Sequence, residues 1–204
     1  MTATVQQPWI HTLDGHAFNL LVPDPEHISV RTISVVLSRL CRFSGHCRQF
    51  YCVADHSVRV CQLVMDEHPN RPALALAALL HDAHEAFSGF GDVCRPAKML
   101  APVISQIHAG IDLAVAKRFG FDPLLFASEA VHYADNQMLA TELRDLMRTP
   151  PAPWDELPPP HSVRITPNTM HDAAGRFEYV ARHLIFTLRS REKQHDNETT
   201  TGQG

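Results

Sequence analysis

Ala73-Leu74-Ala75-Leu76-Ala77-Ala78-Leu79-Leu80-His81-Asp82-Ala83-His84-Glu85-Ala86-Phe87 decides how this chain is read. The run from Ala73 to Leu80 has strong helix formers and no polar side chain, so the helix it predicts has protein on all sides. It then ends on imidazole and carboxylate groups. At about 100° per residue His81 lies over Leu74 and Ala77, and Asp82 over Ala75 and Ala78, so both polar side chains are expected to face packed surface. An unpartnered polar group there costs about 1–3 kcal/mol, and an unpaired charge more. Something must compensate them. Glu85 follows one turn later and shares their sector of the helix.

The same anomaly recurs on either side. Upstream, a helix expected from Cys52 to about Met65 puts His56 on a face with Val53, Val60 and Leu63. Downstream, a helix beginning at Ser128 puts Asp135 in the middle of the face made by Val131, Met138, Leu139 and Leu146, with Glu142 almost in line and Arg144 opposite. His56, His81, Asp82 and Asp135 are thus inward-pointing candidates on three helices. Imidazole nitrogen with carboxylate oxygen suits one divalent transition metal such as Co²⁺, Mn²⁺, Zn²⁺ or Fe²⁺. Open coordination positions on such an ion would take water or substrate, which makes the expected site hydrolytic rather than structural.

The remaining chain predicts a helical frame. Residues 8–27 carry turn signals at Asp14-Gly15 and Pro23-Asp24-Pro25 and read as a short hairpin or extended arm. Further helices are expected over Ile28–Cys41, over Val103–Phe119 closed by Gly120, and over His171–Leu188. Arg42 to Tyr51 and Ser88 to Lys98 read as loops that bring Arg42, Arg48, Arg95, Lys98 and Asp92 toward the candidate ligands. The Pro-rich stretch from Thr149 to Pro160 cannot be helical. The fold class expected is all-α, a compact bundle of about six or more helices forming a single domain over residues 1–190. Residues 191–204 are expected to be a disordered polar tail.

Composition narrows the function classes. The 204 residues carry 18 Lys and Arg against 22 Asp and Glu, a net charge of −4, so no basic field invites a nucleic acid polymer. No apolar run reaches membrane-spanning length and the N-terminus lacks a signal-peptide pattern, so a cytoplasmic protein with no membrane partner is expected. The five cysteines show no Cys-x-x-Cys spacing and read as free thiols.

The ordered set Val53-Ala54-Asp55-His56-Ser57, His81-Asp82 and Ala134-Asp135 resembles the H…HD…D signature of the HD-domain metal-dependent phosphohydrolases. Cys41-Arg42-Phe43, His81-Asp82-Ala83-His84-Glu85-Ala86-Phe87 and Gly91-Asp92-Val93-Cys94-Arg95-Pro96-Ala97-Lys98 bring the resemblance closer to the YfbR-like 5′-deoxynucleotidases and related phage-encoded dATP triphosphohydrolases. It spans about residues 9–147. The resemblance implies that His56, His81, Asp82 and Asp135 are metal ligands, that Glu85 orients or deprotonates the attacking water, and that Asp92 lies near the scissile phosphate. It also implies that Arg42 grips phosphate and that Phe43, where a tryptophan is common, packs on the sugar or base. Arg48, Arg95 and Lys98 are candidates for the remaining phosphate oxygens.

The activity it implies is hydrolysis of the 5′ phosphate ester of deoxynucleoside monophosphates by a metal-activated water. A deoxynucleoside triphosphate triphosphohydrolase that releases triphosphate is the alternative within the same chemistry. A non-catalytic nucleotide-sensing module is the alternative of another class. A homo-oligomer is expected on the same resemblance.

Overall fold

A computed structural model describes residues 8–152 and 156–201. The chain opens with an antiparallel hairpin, β1 (Trp9–His11) paired with β2 (Ala17–Asn19), in register Trp9 to Asn19 and His11 to Ala17. Its turn carries Gly15 at φ +84°, where a side chain would be strained. The carboxylate of Asp14 beside it accepts hydrogen bonds from Ser29 Oγ and Thr32 Oγ1, both at 2.6 Å, which dock the hairpin tip onto the start of the first helix.

That helix is α1 (Val30–Arg39), capped by the Ser29 hydroxyl, and α2 (Val53–Glu67) and α3 (Pro72–Leu80) follow. Every residue of α3 from Leu74 to Leu80 is buried, as its apolar composition requires. Pro72 starts it, where a missing N–H removes no helical bond. After α4 (Glu85–Ser88) and α5 (Arg95–Leu100) come α6 (Pro102–Phe119), α7 (Glu129–Leu146) and α8 (Met170–Thr201). The inner helix α3 packs on α2, α7 and α8, while α1 lies against α2 and α8. The all-α architecture and the N-terminal hairpin match the expectation.

Four local departures have physical causes. The central helix does not continue unbroken through Glu85. It ends at Leu80, and bonds from Ala83 N to Leu80 O, Ala86 N to Ala83 O and Phe87 N to His84 O tighten residues 81–87 into i to i−3 turns. Within the expected loop at 88–98, Pro96 in a first turn followed by Ala97, Lys98, Met99 and Leu100 forms α5. The Arg42–Gly45 segment is a tight turn in which Phe43 and Ser44 adopt positive φ, +52° and +50°. Finally, the tail expected to be disordered from residue 191 is helical as far as Thr201, and residues 202–204 lie outside the described residues. No glycine or proline interrupts the sequence between Arg176 and Thr201, and Arg191 ties the extension to the α2–α3 connection by donating to Asn70 O.

Candidate metal centre

His56 stands in the first turn of α2, a position fixed by the preceding chain. Arg42 N donates to Tyr51 O and Val53 N to Leu40 O, pairing Cys41 with Cys52 in a short antiparallel bridge from which α2 departs. His81 caps α3 and Asp82 lies in the tightened turn after it. Asp135 projects from α7. These three helices bring His56 Nε2 to 3.3 Å from His81 Nε2 and 3.2 Å from Asp135 Oδ1, and His81 Nε2 to 3.2 Å from Asp82 Oδ2. The diagonal distances, His56 to Asp82 and His81 to Asp135, are both 3.7 Å. Donors about 2.1 Å from one ion are about 3.0 Å apart at neighbouring octahedral positions and about 3.4 Å apart in a tetrahedron. The three shorter spacings of 3.2–3.3 Å fall in that range, and the two 3.7 Å diagonals lie a little beyond it.

The tautomers fit as well. His81 Nδ1 lies 2.8 Å from Ala78 O, and because a carbonyl only accepts, Nδ1 carries a proton and Nε2 is the nitrogen left to ligate. His56 Nδ1 lies 2.7 Å from Glu142 Oε1, both side chains being fully buried, and the same assignment follows. Two imidazole Nε2 atoms 3.3 Å apart beside two carboxylates make a site that favours a cation, either protons or a metal ion that displaces them. Burial lowers the proton affinity of both imidazoles, but the neighbouring carboxylates outweigh it. Asp82 and Asp135 raise His81 well above the usual range, and Glu142 and Asp135 raise His56 against the opposing charge of Arg42. Burial would raise Asp82 and Asp135, yet His81 and His56 hold both below the ordinary carboxylate range.

Arg42 joins this centre from the second layer. Its Nη2 donates to Glu142 Oε2 at 3.0 Å, its Nη1 lies 3.4 Å from both oxygens of Asp92, and Asp82 Oδ2 is 4.0 Å away. Asp92 also accepts from Phe43 N at 3.0 Å, which holds the strained turn. The Phe43 ring lies beneath the Arg42 guanidinium at 5.2 Å. The residue expected to grip phosphate is thus itself gripped by carboxylates, leaving Nε without a partner.

Glu85, at the start of α4, is 3% exposed and its Oε2 is unpartnered. Burial, reinforced by Asp82 and Asp92, raises its pKa well above the carboxylate norm. Lys98 on α5 acts on Glu85 by its charge, and Arg95 stands exposed in the first turn of that helix. Arg48 is placed differently. It lines a cavity of about 470 Å³ with His46, Cys47, Leu143, Met147 and Arg148, and none of the four candidate ligands lines that cavity.

Sequence reasoning placed Glu142 in line with Asp135 but gave it no role, and missed Asp112 and His108. Glu142 serves His56 and Arg42 at once; its spacing of seven from Asp135, two helical turns, was the available signal. Asp112, on α6, accepts from His84 Nδ1 at 2.9 Å. His108, also on α6, meets the His84 ring at 4.0 Å, and burial together with the His84 and Lys98 charges lowers its pKa to about 3. No short-range pattern connects α6 to the His81-Asp82 stretch.

No protein-family model matches the chain. It is similar to the uncharacterized protein YfdR of Escherichia coli (strain K12), 39% identical over 138 residues that cover 68% of this chain and 72% of YfdR. It is also similar to the uncharacterized protein RCAP_rcc00048 of Rhodobacter capsulatus, 30% identical over 196 residues, 91% of this chain and 98% of that protein. By this identity and coverage, the chain belongs to the family of YfdR and RCAP_rcc00048.

Proposed function

We propose that the protein is an HD-domain metal-dependent phosphohydrolase that hydrolyses the 5′ phosphate ester of deoxynucleoside monophosphates, releasing deoxynucleoside and orthophosphate. The observation that carries this reading is the imidazole pair, His56 buried and His81 partly so, whose Nδ1 atoms are committed to Glu142 and Ala78 O, so that both Nε2 atoms face Asp82 and Asp135. His56, His81, Asp82 and Asp135 would hold one divalent transition ion, Co²⁺, Mn²⁺, Zn²⁺ or Fe²⁺. When bound, such an ion neutralises phosphoryl charge and lowers the pKa of water from 15.7 toward about 7.

The other residues divide the remaining work. Glu85 is a buried carboxylate with raised proton affinity, which suits it to orient the attacking water and receive its proton. Asp92 fixes Arg42 and the Phe43 backbone, so the wall of the pocket that would meet the sugar and base is held by one carboxylate. Lys98 and Arg95 would meet phosphoryl oxygens from α5. The small-molecule substrate class is a deoxynucleotide, and the net charge of −4 disfavours a nucleic acid polymer.

One observation favours a second reading, a triphosphohydrolase acting on a deoxynucleoside triphosphate such as dATP. Arg48 and Arg148 around the 470 Å³ cavity would offer positive charge to further phosphates. Anion-exchange analysis after incubation with dAMP and dATP plus Mn²⁺ or Co²⁺ separates the two. Orthophosphate from dAMP is expected; triphosphate from dATP with dAMP left intact would defeat the monophosphatase reading.

A homo-oligomer in the cytoplasm belongs to the same proposal. In support, Met99, Leu100 and Val103 project into solvent, Leu100 at 88% exposure, and no described helix is long and apolar enough to cross a membrane.

A further inference from the structure

Beside the first donor set lies a second one that it leaves unused. His84 is buried, and its Nδ1 is fixed by Asp112 Oδ1 at 2.9 Å, while its Nε2 has no hydrogen-bond partner. This repeats the arrangement of His56 with Glu142, in which one ring nitrogen is tied to a carboxylate and the other is left to ligate. Its neighbour Glu85 is buried too, with Oε2 unpartnered. Two orphaned polar atoms on adjacent buried residues are unusual, since buried polar groups are nearly always satisfied. Asp82, His84 and Glu85 each offer a ligand atom, and these atoms lie within 4.8 Å of one another.

Charge points the same way. Asp82, Glu85, Asp92, Asp112, Asp135 and Glu142 surround the two donor sets, against Arg42 and Lys98 as the cations that remain once His56 and His81 have given up protons to ligate. One divalent ion would leave an excess of negative charge where an anionic phosphate ester must enter, and that repulsion opposes binding.

We propose that Asp82, His84 and Glu85 hold a second divalent cation of the Mn²⁺ class, with the Asp82 carboxylate bridging it to the ion at His56, His81 and Asp135. Imidazole with two carboxylates is the donor set such an ion takes. Glu85 binds through Oε2 and keeps Oε1 for the water. A shared carboxylate sets the two ions about 3.5–4 Å apart, the spacing of two-metal phosphoryl sites. The bridging role rests on the metal-centre reading above, whereas the His84–Asp112 half of the site does not.

Mn²⁺ titration of the chelator-stripped full chain, read by bound metal per chain and by electron paramagnetic resonance, tests it. Two Mn²⁺ per chain are expected, with the six-line signal of the first equivalent giving way to an exchange-coupled spectrum as the second binds. His84→Ala should fall to one Mn²⁺ with no coupling, and His84→Gln provides the same reading if the alanine variant fails to fold by circular dichroism. His56→Ala should also abolish coupling by weakening the first site. Wild-type saturation at one Mn²⁺ would overturn the second site and leave the first standing. Two coupled ions retained in His84→Ala would overturn the assignment of His84. No binding by wild type would overturn both sites.

Discussion

Glu142 does two jobs with one carboxylate, Oε1 fixing His56 and Oε2 fixing Arg42. Burial would raise its pKa, but Arg42 and His56 hold it below the ordinary range, so it is ionised where it works. Glu142→Gln should weaken metal binding about 10–100-fold, as loss of an outer partner does elsewhere. Glu142→Ala, which leaves Arg42 with Asp92 and Asp82 but without its closest carboxylate, should cost about 1–3 kcal/mol of stability as well. Calorimetric metal titration and denaturant unfolding check the two effects; an unchanged Kd in both variants would contradict the role given to Glu142. His56→Ala and Asp82→Ala should remove metal and activity together. Proton competition provides a further signature. The apo-protein imidazole of His81 is held well above its usual pKa of 6.5, and a ligating imidazole must be deprotonated. Metal affinity should therefore rise with pH through neutrality, and below the raised pKa it should fall about tenfold per pH unit for each proton displaced. A pH-independent Kd between 6 and 8 would contradict it.

The stretch from residue 156 to α8 has no regular structure, yet α2 and α7 hold it in place. Asp55, buried in α2, accepts from Asn168 N and Nδ2, both at 2.8 Å. Asp145, at the end of α7, accepts from Arg144, Arg164 and Ile165 N, and the Arg144 bond is the chief reason its pKa lies far below the carboxylate norm. Asp145→Asn should destabilise the fold by about 1.5–3 kcal/mol, the range for hydrogen bonds to a charged group. Because the folded pKa is depressed, this contribution is present above the unfolded value of about 3.9 and is lost as pH falls below it. The wild-type minus variant stability should therefore shrink below about pH 4; a difference constant from pH 7 to pH 3 would exclude the mechanism. Some of these elements were legible in sequence. The Ser128 cap, the Gly120 stop and the apolar run of α3 each carry their own chemistry in adjacent residues. The tightened turn at 81–87 and the positive φ of Phe43 and Ser44 do not, because both depend on partners distant in the chain, such as Asp92 for Phe43 N.

Taken as a whole molecule, the chain gathers its site from α2, the α3–α4 turn and α7, with α6 standing behind. Each of His56, His81, Asp82 and Asp135 was legible because a polar residue on an apolar helical face is locally anomalous. The bonds from Glu142 to His56 and Arg42, and the contacts of Asp112 and His108 with His84, became visible only once the helices packed. The placement of Arg48 in a separate cavity was equally out of reach, since a loop arginine carries no periodicity to orient it. The exposed apolar residues of α5 and α6 make assembly testable by light scattering coupled to size exclusion, where a mass above the 22.8 kDa chain is expected and a monomer at all concentrations would refute the homo-oligomer. The most direct test of the metal-dependent phosphohydrolase is orthophosphate release from dAMP by chelator-stripped protein as Mn²⁺ or Co²⁺ is restored. Turnover should be negligible without metal, rise to saturation with it, and stay negligible in Asp82→Ala. Full turnover in the stripped protein, or undiminished turnover in Asp82→Ala, would contradict the account.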